Sequence, residues 1–475
     1  MKKLLGLIVA IALAFFLVTP FVLGVQAEKK IQALISHLNA YPSYKAEIDT
    51  FEKGWFSSQV NLRVGLALPE DIFADADMDV NSMMLTGVID LHHGPLLLNE
   101  GLQLGWYHWH LTLNHTEAEG IFEQHGQVVL NGQTRFYDQL PAFGYPLAEE
   151  NLQLQVSDYR GEGEINRQGL LRYRGSLPWL TLESDNDNAR VDDIRVEVDG
   201  NLARLDPELL LYPGEFVLRL GRIEANLEDD TAINTFRLQD LEVETAVTIP
   251  PEATQLSINV QTRLQSLEAD EWFLRNLQSE LAFDNISMDF YRAYHRAHAA
   301  LYESMNINDQ NTFSTWDYGQ FITPEVLRSL VEKGPSVRLE NLSAQLPQGE
   351  FAGQVGIHIK ADTPPPTQLN DFFWMIGAIQ AQMQLQADHS LADYYAQRWA
   401  EPGIRRAASI NVDLTEAEVQ QQIAEQAQTF LASLSEEGWI VSAGNTWRSQ
   451  LAYNSGEFTV NGQPMPLGSL LGSFF

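Results

Sequence analysis

From Leu4 to Val25 no charged residue interrupts a run dominated by Leu, Ile, Val, Ala and Phe, and Lys2 and Lys3 stand just before it. At 1.5 Å per residue such a helix reaches about 33 Å, the thickness of a bilayer core, so the sequence predicts a membrane-crossing segment. Two fates are open to it. Val25-Gln26-Ala27 before Glu28 has the small-residue form of a signal-peptidase site, which would release the remainder as a soluble exported protein. The run is longer than the usual apolar region of a signal peptide, which favours a retained anchor over residues 1–27. Lys2, Lys3 and the terminal amine outweigh Lys29 and Lys30, which Glu28 offsets, so the N-terminus is expected inside. Beyond the membrane, Ile31, Leu34, Ile35 and Leu38 keep helical spacing and predict a stalk over 28–40, stopped by Tyr41-Pro42.

Charge and cysteine usage exclude several classes. The 475 residues include 63 acidic and 30 basic ones, a formal net charge of -33 that repels phosphate backbones, so nucleic acid is not expected as a partner. Cysteine is absent, which removes disulfides, thiolate metal sites and a Cys nucleophile. There is no G-x-S-x-G elbow, no HExxH helix motif and no Gly-Lys-Ser/Thr loop, and no cofactor or catalytic residue is assigned.

Alternation with a period of two dominates the rest, residues 41–475. Val60, Leu62, Val64, Leu66 and Leu68 alternate with more polar neighbours. Trp106 to His115 separates into two faces, one with Trp106, His108, His110, Thr112 and Asn114, the other with Tyr107, Trp109, Leu111, Leu113 and His115. Further strands are predicted at 85–91, 128–130, 152–156, 190–198, 215–225, 236–249, 257–264, 337–346, 351–359 and 376–388, punctuated by Gly, Pro and Asn/Asp. Helices are predicted over 288–304, after Thr323-Pro324, and from the capping box Thr415-Glu416-Ala417-Glu418 to a stop near Gly438. The expected fold class is mainly β with peripheral helices (α+β): large, curved antiparallel sheet or sheets behind one N-terminal transmembrane helix. The body reads as one unit or as two similar parts, about 41–265 and 266–475, since Gly126 to Gln133 echoes Gly456 to Gln463. Asp362-Thr363-Pro364-Pro365-Pro366 is the clearest linker or surface loop.

Several landmarks resemble a known family. Gly54-Trp55-Phe56-Ser57-Ser58 after the anchor, His93-Gly94-Pro95 after a strand, and Asn461-Gly462 in the closing segment are similar to motifs of the YdgA-like family of bacterial envelope proteins of unknown function. That resemblance implies an inner-membrane anchor and a large periplasmic part, and it supplies no activity.

Six of the eleven histidines, His92, His93, His108, His110, His115 and His125, fall in one short region. His108 and His110 share a strand face, and a neighbouring strand could bring His93 alongside, a pattern suited to Zn2+. No carboxylate accompanies them in a helix motif, so surface and turn roles are favoured and no metal is assigned; His93, His108 and His110 are the candidates if one is held. The aromatic stretches Trp55-Phe56, Trp106 to Trp109 and Phe372-Phe373-Trp374 suit either a core or an acyl-chain groove. The expected function is a noncatalytic, membrane-anchored periplasmic protein that binds or scaffolds lipid or another envelope protein. The alternative is a metal-dependent hydrolase using the histidines.

Overall fold

Alternating sequences produce antiparallel ladders here almost without exception. The computed structural model describes residues 2–39, 44–66, 85–98, 102–115, 118–146, 152–184, 187–226, 235–306, 321–364, 372–410 and 415–466, apart from positions 207, 210, 253, 271 and 362. The fold is mainly β, with a few helices and no closed sheet among the described strands. Two compact units divide the chain, residues 1–221 with 292–322 and residues 222–291 with 323–475.

In the first unit, a single helix α1 (Lys2–Leu38) joins the expected anchor and stalk without a break. Among the described residues no helix is long and apolar enough to cross a membrane. The side chains of residues 2–17, most of the apolar run, lie outside the described residues, as do Tyr41 to Ser43. Strands follow: β1 (Tyr44–Lys53), β2 (Ser57–Leu66), β3 (Leu85–His93), β4 (Leu96–Leu98), β5 (Leu102–His115), β6 (Ala118–Val129), β7 (Thr134–Leu140), β8 (Phe143–Pro146), β9 (Gln153–Val156), β10 (Tyr159–Ile165), β11 (Leu170–Glu183) and β12 (Asn188–Asn201). Antiparallel pairing runs β1, β2, β3, β5, β6, β7, β10, β11, β12. Two short strands extend this order: β4 continues the line of β3 along β5, and β9 continues that of β10 along β11.

One row of that sheet explains a set of glycines that look unmotivated in the sequence. Trp109 is opposite Gly126, Gly126 opposite Phe136, Phe136 opposite Gly163, and Gly163 opposite Tyr173. The Trp109 ring lies across Gly126 and the Phe136 ring across Gly163, so that a Cβ on Gly126 would stand 2.0 Å from Trp109 Cζ2 and one on Gly163 2.1 Å from Phe136 Cζ. Rings and glycines interlock as large and small partners, a form of cross-strand pairing that a side chain at either glycine would block.

The chain passes through β13 (Gly214–Asn226) to the second unit and returns through α2 (Met288–Asn306). The second unit holds β14 (Thr235–Thr248), β15 (Gln255–Ala269), β16 (Trp272–Ser287), α3 (Pro324–Val331), β17 (Ser336–Leu346), β18 (Gly349–Ile359), α4 (Phe372–Ala378), β19 (Ile379–Asp388), α5 (His389–Ile410), α6 (Glu416–Glu436), β20 (Val441–Ala443), β21 (Thr446–Asn454), β22 (Glu457–Val460) and β23 (Gln463–Met465). Its ladder runs β14, β15, β16, β17, β18, β19, β21, with β22 and then β23 completing the order. The long strands kink at Asp240, Asn276 and Asn341, with φ of 49°, 50° and 53°, residue types that tolerate the left-handed region.

The capping box forms as expected, Thr415 and Glu418 each satisfying the other's backbone N–H. α5 was not anticipated from the sequence, because Pro402 interrupts its interior and alanines hide its apolar face. It packs on α6 through Ala396, Ala400, Val419, Ile423, Ala427 and Leu431. Residues 365–371 lie outside the described residues, as do the side chains of Phe372 and Phe373. The Asn131-Gly132 and Asn461-Gly462 turns differ: only the second has positive φ at both residues, 48° and 79°, the signature of a type I′ hairpin. Gly126→Val should destabilise the first unit by about 1–3 kcal/mol, as overpacking does; urea denaturation of full-length wild type and variant reads it, and an unchanged midpoint would refute the interlocking.

Candidate functional site

Residues of β3 and β5 point to two different surfaces, and the histidines divide between them. His93 is opposite Tyr107, whereas His92 is opposite His108 and Asp90 opposite His110. Adjacent residues on a strand face opposite ways, so His93 cannot join His108 and His110 in one site. The trio His93, His108 and His110 is therefore dissolved by the pleat.

His93 is fully buried, and what buries it is α1. A Cβ on Gly24 would stand 2.8 Å from His93 Cε1, so the helix backbone lies directly on the imidazole ring. Tyr107 Oη donates to the Leu23 carbonyl at 3.2 Å, the Phe21 and Trp55 rings meet at 5.3 Å between centroids, and Lys53 Nζ donates to Glu28 at 2.6 Å. The Asn39 side chain ends the helix against β1, bonding both the N–H and the carbonyl of Ala46 at 2.7 and 2.8 Å. Backbone bonds hold the turns that form this collar: Gly54 N–H to the Ser57 carbonyl, His93 N–H to Phe56, and Gly94 N–H to Trp106. At Gly94, φ is +138° and a Cβ would meet Pro20 Cγ at 2.9 Å, so only glycine fits. The Gly-Trp-Phe-Ser-Ser and His-Gly-Pro segments thus come together as one helix-gripping collar. Asn461 and Gly462 are in the other unit, where Asn461 Nδ2 donates to the Gly438 carbonyl at 2.7 Å behind α6.

The collar also encloses a nucleophile and a base. Ser58 Oγ lies 3.1 Å from His93 Nε2, the spacing of an activated serine. Both residues are buried, and the backbone of α1 at Gly24 lies directly over the His93 ring, so the pair is enclosed in the fold. Burial pushes the His93 pKa below 6.5, and it outweighs the Pro20 and Ser57 carbonyls, which favour the charged ring. A lowered folded-state pKa means that the unfolded chain takes up the proton first, so the neutral ring's contribution is complete above 6.5 and is lost as pH falls below it. His93→Gln should remove that component: the stability difference between wild type and variant is flat above pH 6.5 and shrinks steadily below it. Thermal unfolding across pH reads the difference, and parallel curves would contradict the buried neutral state.

On the other surface, His110 is opposite His125 on β6, with Glu123 two residues away on the same face. The two rings stack at 4.1 Å with 14° between planes. Glu123 Oε2 stands 3.6 Å from His125 Nε2 and 4.0 Å from His110 Nε2, and among the described residues these three form the one group placed to hold a metal ion. Gln139 Nε2 donates to Glu123 at 2.7 Å, and Asp90, fixed by Gln59 at 2.8 Å, neighbours His110 across the strands. The sequence marks His125 as part of the histidine cluster but not as a metal candidate, and it does not mark Glu123; their alternation on β6 was the available signal. His92, His108, His110 and His125 border a shallow depression of about 650 Å³. The side chain of His115 lies outside the described residues.

The second unit has an apolar cavity of about 380 Å³ between its helices and sheet, lined by Phe351, Leu391, Tyr395, Leu434, Ile440 and Trp447 among others.

A family model described as a bacterial protein of unknown function (DUF945) matches residues 1–468. No curated protein and no solved structure matches the chain.

Proposed function

The chain belongs to the DUF945 family of bacterial proteins of unknown function, and we propose that it is a noncatalytic envelope protein, held in the inner membrane by one pass of α1 with its β-rich body in the periplasm. The observation that carries this reading is the docked helix. Pro20 and Gly24 rest on the collar at Gly94 and His93 and Ala27 is buried, while Val18, Phe21 and Val22 stay exposed, as do Trp55, which meets Phe21, and Phe56. Leu4 to Val22 would span about 28 Å, close to the hydrocarbon thickness. The exposed aromatics would then lie where Trp and Phe suit a membrane interface, at the point where helix meets body. Ala27 is buried within a continuous helix, which favours retention over cleavage, since a peptidase needs an accessible extended segment. The same collar residues are those that resemble the YdgA-like family, and we read the chain as YdgA-like on that ground.

The cavity of the second unit, almost wholly apolar, favours an acyl-chain ligand as the envelope component bound. A hydrolase built on His93, His108 and His110 has no supporting geometry. After alkaline extraction of membranes, the full-length chain is expected in the pellet with its N-terminal segment intact; a soluble periplasmic chain beginning at Glu28 would overturn the anchor. Native mass spectrometry of the detergent-purified protein is expected to reveal a copurifying acyl lipid, and its absence would replace the lipid reading with a protein-binding one.

A further inference from the structure

We propose that His110, Glu123 and His125 form a binding site for a divalent transition metal ion of the zinc or copper class, on the sheet face opposite α1. Two imidazoles and one carboxylate are ligands of the borderline hardness these ions prefer, and the set excludes Mg2+ and Ca2+, which take oxygen ligands. The site does not depend on the membrane reading.

Geometry comes from the ladder. The β5–β6 register places His110 and His125 directly opposite one another, and the alternation of β6 brings Glu123 to the same face. All three ligand atoms lie within 4.8 Å of one another. Donor atoms about 2.0–2.2 Å from a tetrahedral ion stand roughly 3.3–3.6 Å apart. Glu123 is already 3.6 Å from His125 and 4.0 Å from His110, so a small rotation of His110 brings the second distance into range. The stacked rings must fan apart to aim both nitrogens at one ion, and side-chain exposures of 37% and 41% leave them room to do so.

The surroundings fit a metal better than a solvated patch. Gln139 holds the Glu123 carboxylate by a 2.7 Å bond, the kind of outer contact that fixes a ligand before the ion arrives. Thr112 Oγ1 lies 3.4 Å from His110 Nε2 and would yield that nitrogen to the ion. Asp90, across the strands from His110, adds negative charge without entering the ligand set. Three protein ligands on an open face leave at least one coordination position free, for water or for a donor atom of a bound partner.

Isothermal titration of tag-free, detergent-purified full-length protein tests the site. One equivalent of Zn2+ is expected to bind, with no uptake of Mg2+ at the same concentration. His125→Ala and Glu123→Gln should each weaken Zn2+ at least tenfold, and Gln139→Ala about tenfold. His92→Ala and His108→Ala should leave affinity within about twofold, which separates this site from general histidine-rich attraction. Co2+ loaded in place of Zn2+ should give the visible absorption of a low-symmetry nitrogen–oxygen site, lost in His125→Ala. Circular dichroism of each variant checks that the fold is kept. Absence of saturable Zn2+ binding, or binding undiminished in His125→Ala, would overturn the assignment.

Discussion

Much of the first unit depends on one contact, the backbone of α1 at Gly24 resting on the ring of His93. A larger residue at position 24 would hold the helix away from the sheet, and a smaller one at 93 would leave a void beneath it. Around that contact the Gly54 and Gly94 turns close, because each turn lends a carbonyl, a ring or a glycine to the helix. The neutral, buried imidazole costs little to desolvate compared with a charged one, which is why the contact tolerates so dry a setting. Conversely, the buried Ser58 and His93 pair resembles catalytic machinery by distance alone. What sets it apart from a pair presented at a surface is burial, with α1 resting on the His93 ring.

A second constraint is the pleat. On β3, β5 and β6, one face supplies Trp109, Tyr107 and His93, and the other supplies His92, His108, His110, Glu123 and His125. The apolar face accepts a helix, and the polar face stays open. A one-residue slip of register would exchange the two and lose both collar and metal site, so the interlocked Trp109, Gly126, Phe136 and Gly163 row also secures the chemistry behind it.

How far these features are legible in the sequence follows from their range. The two faces of Trp106 to His115 are read from a period of two within one strand, and the Thr415 capping box from four residues. The motif segments are visible too, as a resemblance, although their common purpose is not, because Gly24 and His93 are 69 positions apart and nothing local links them. The grouping of Glu123 and His125 with His110 is hidden for the same reason: they become its neighbours only through the β5–β6 register, which no single strand encodes. Gly126 and Gly163 read as breakers, since their meaning is carried by rings on other strands. α5 escapes because Pro402 suggests an ending where the helix continues.

Helix docking is the claim on which the anchor, the buried histidine and the motif residues all rest, and a chain without cysteine offers a direct test of it. Glu28→Cys and Lys53→Cys, combined in the full-length protein in membranes, replace the ion pair that closes the collar, and a short bifunctional maleimide should join them in high yield. The added substitution Gly24→Leu should abolish the crosslink while leaving each thiol reactive. A pair that fails to crosslink in the otherwise native chain, with both thiols labelled freely, would mean that α1 does not rest on the sheet.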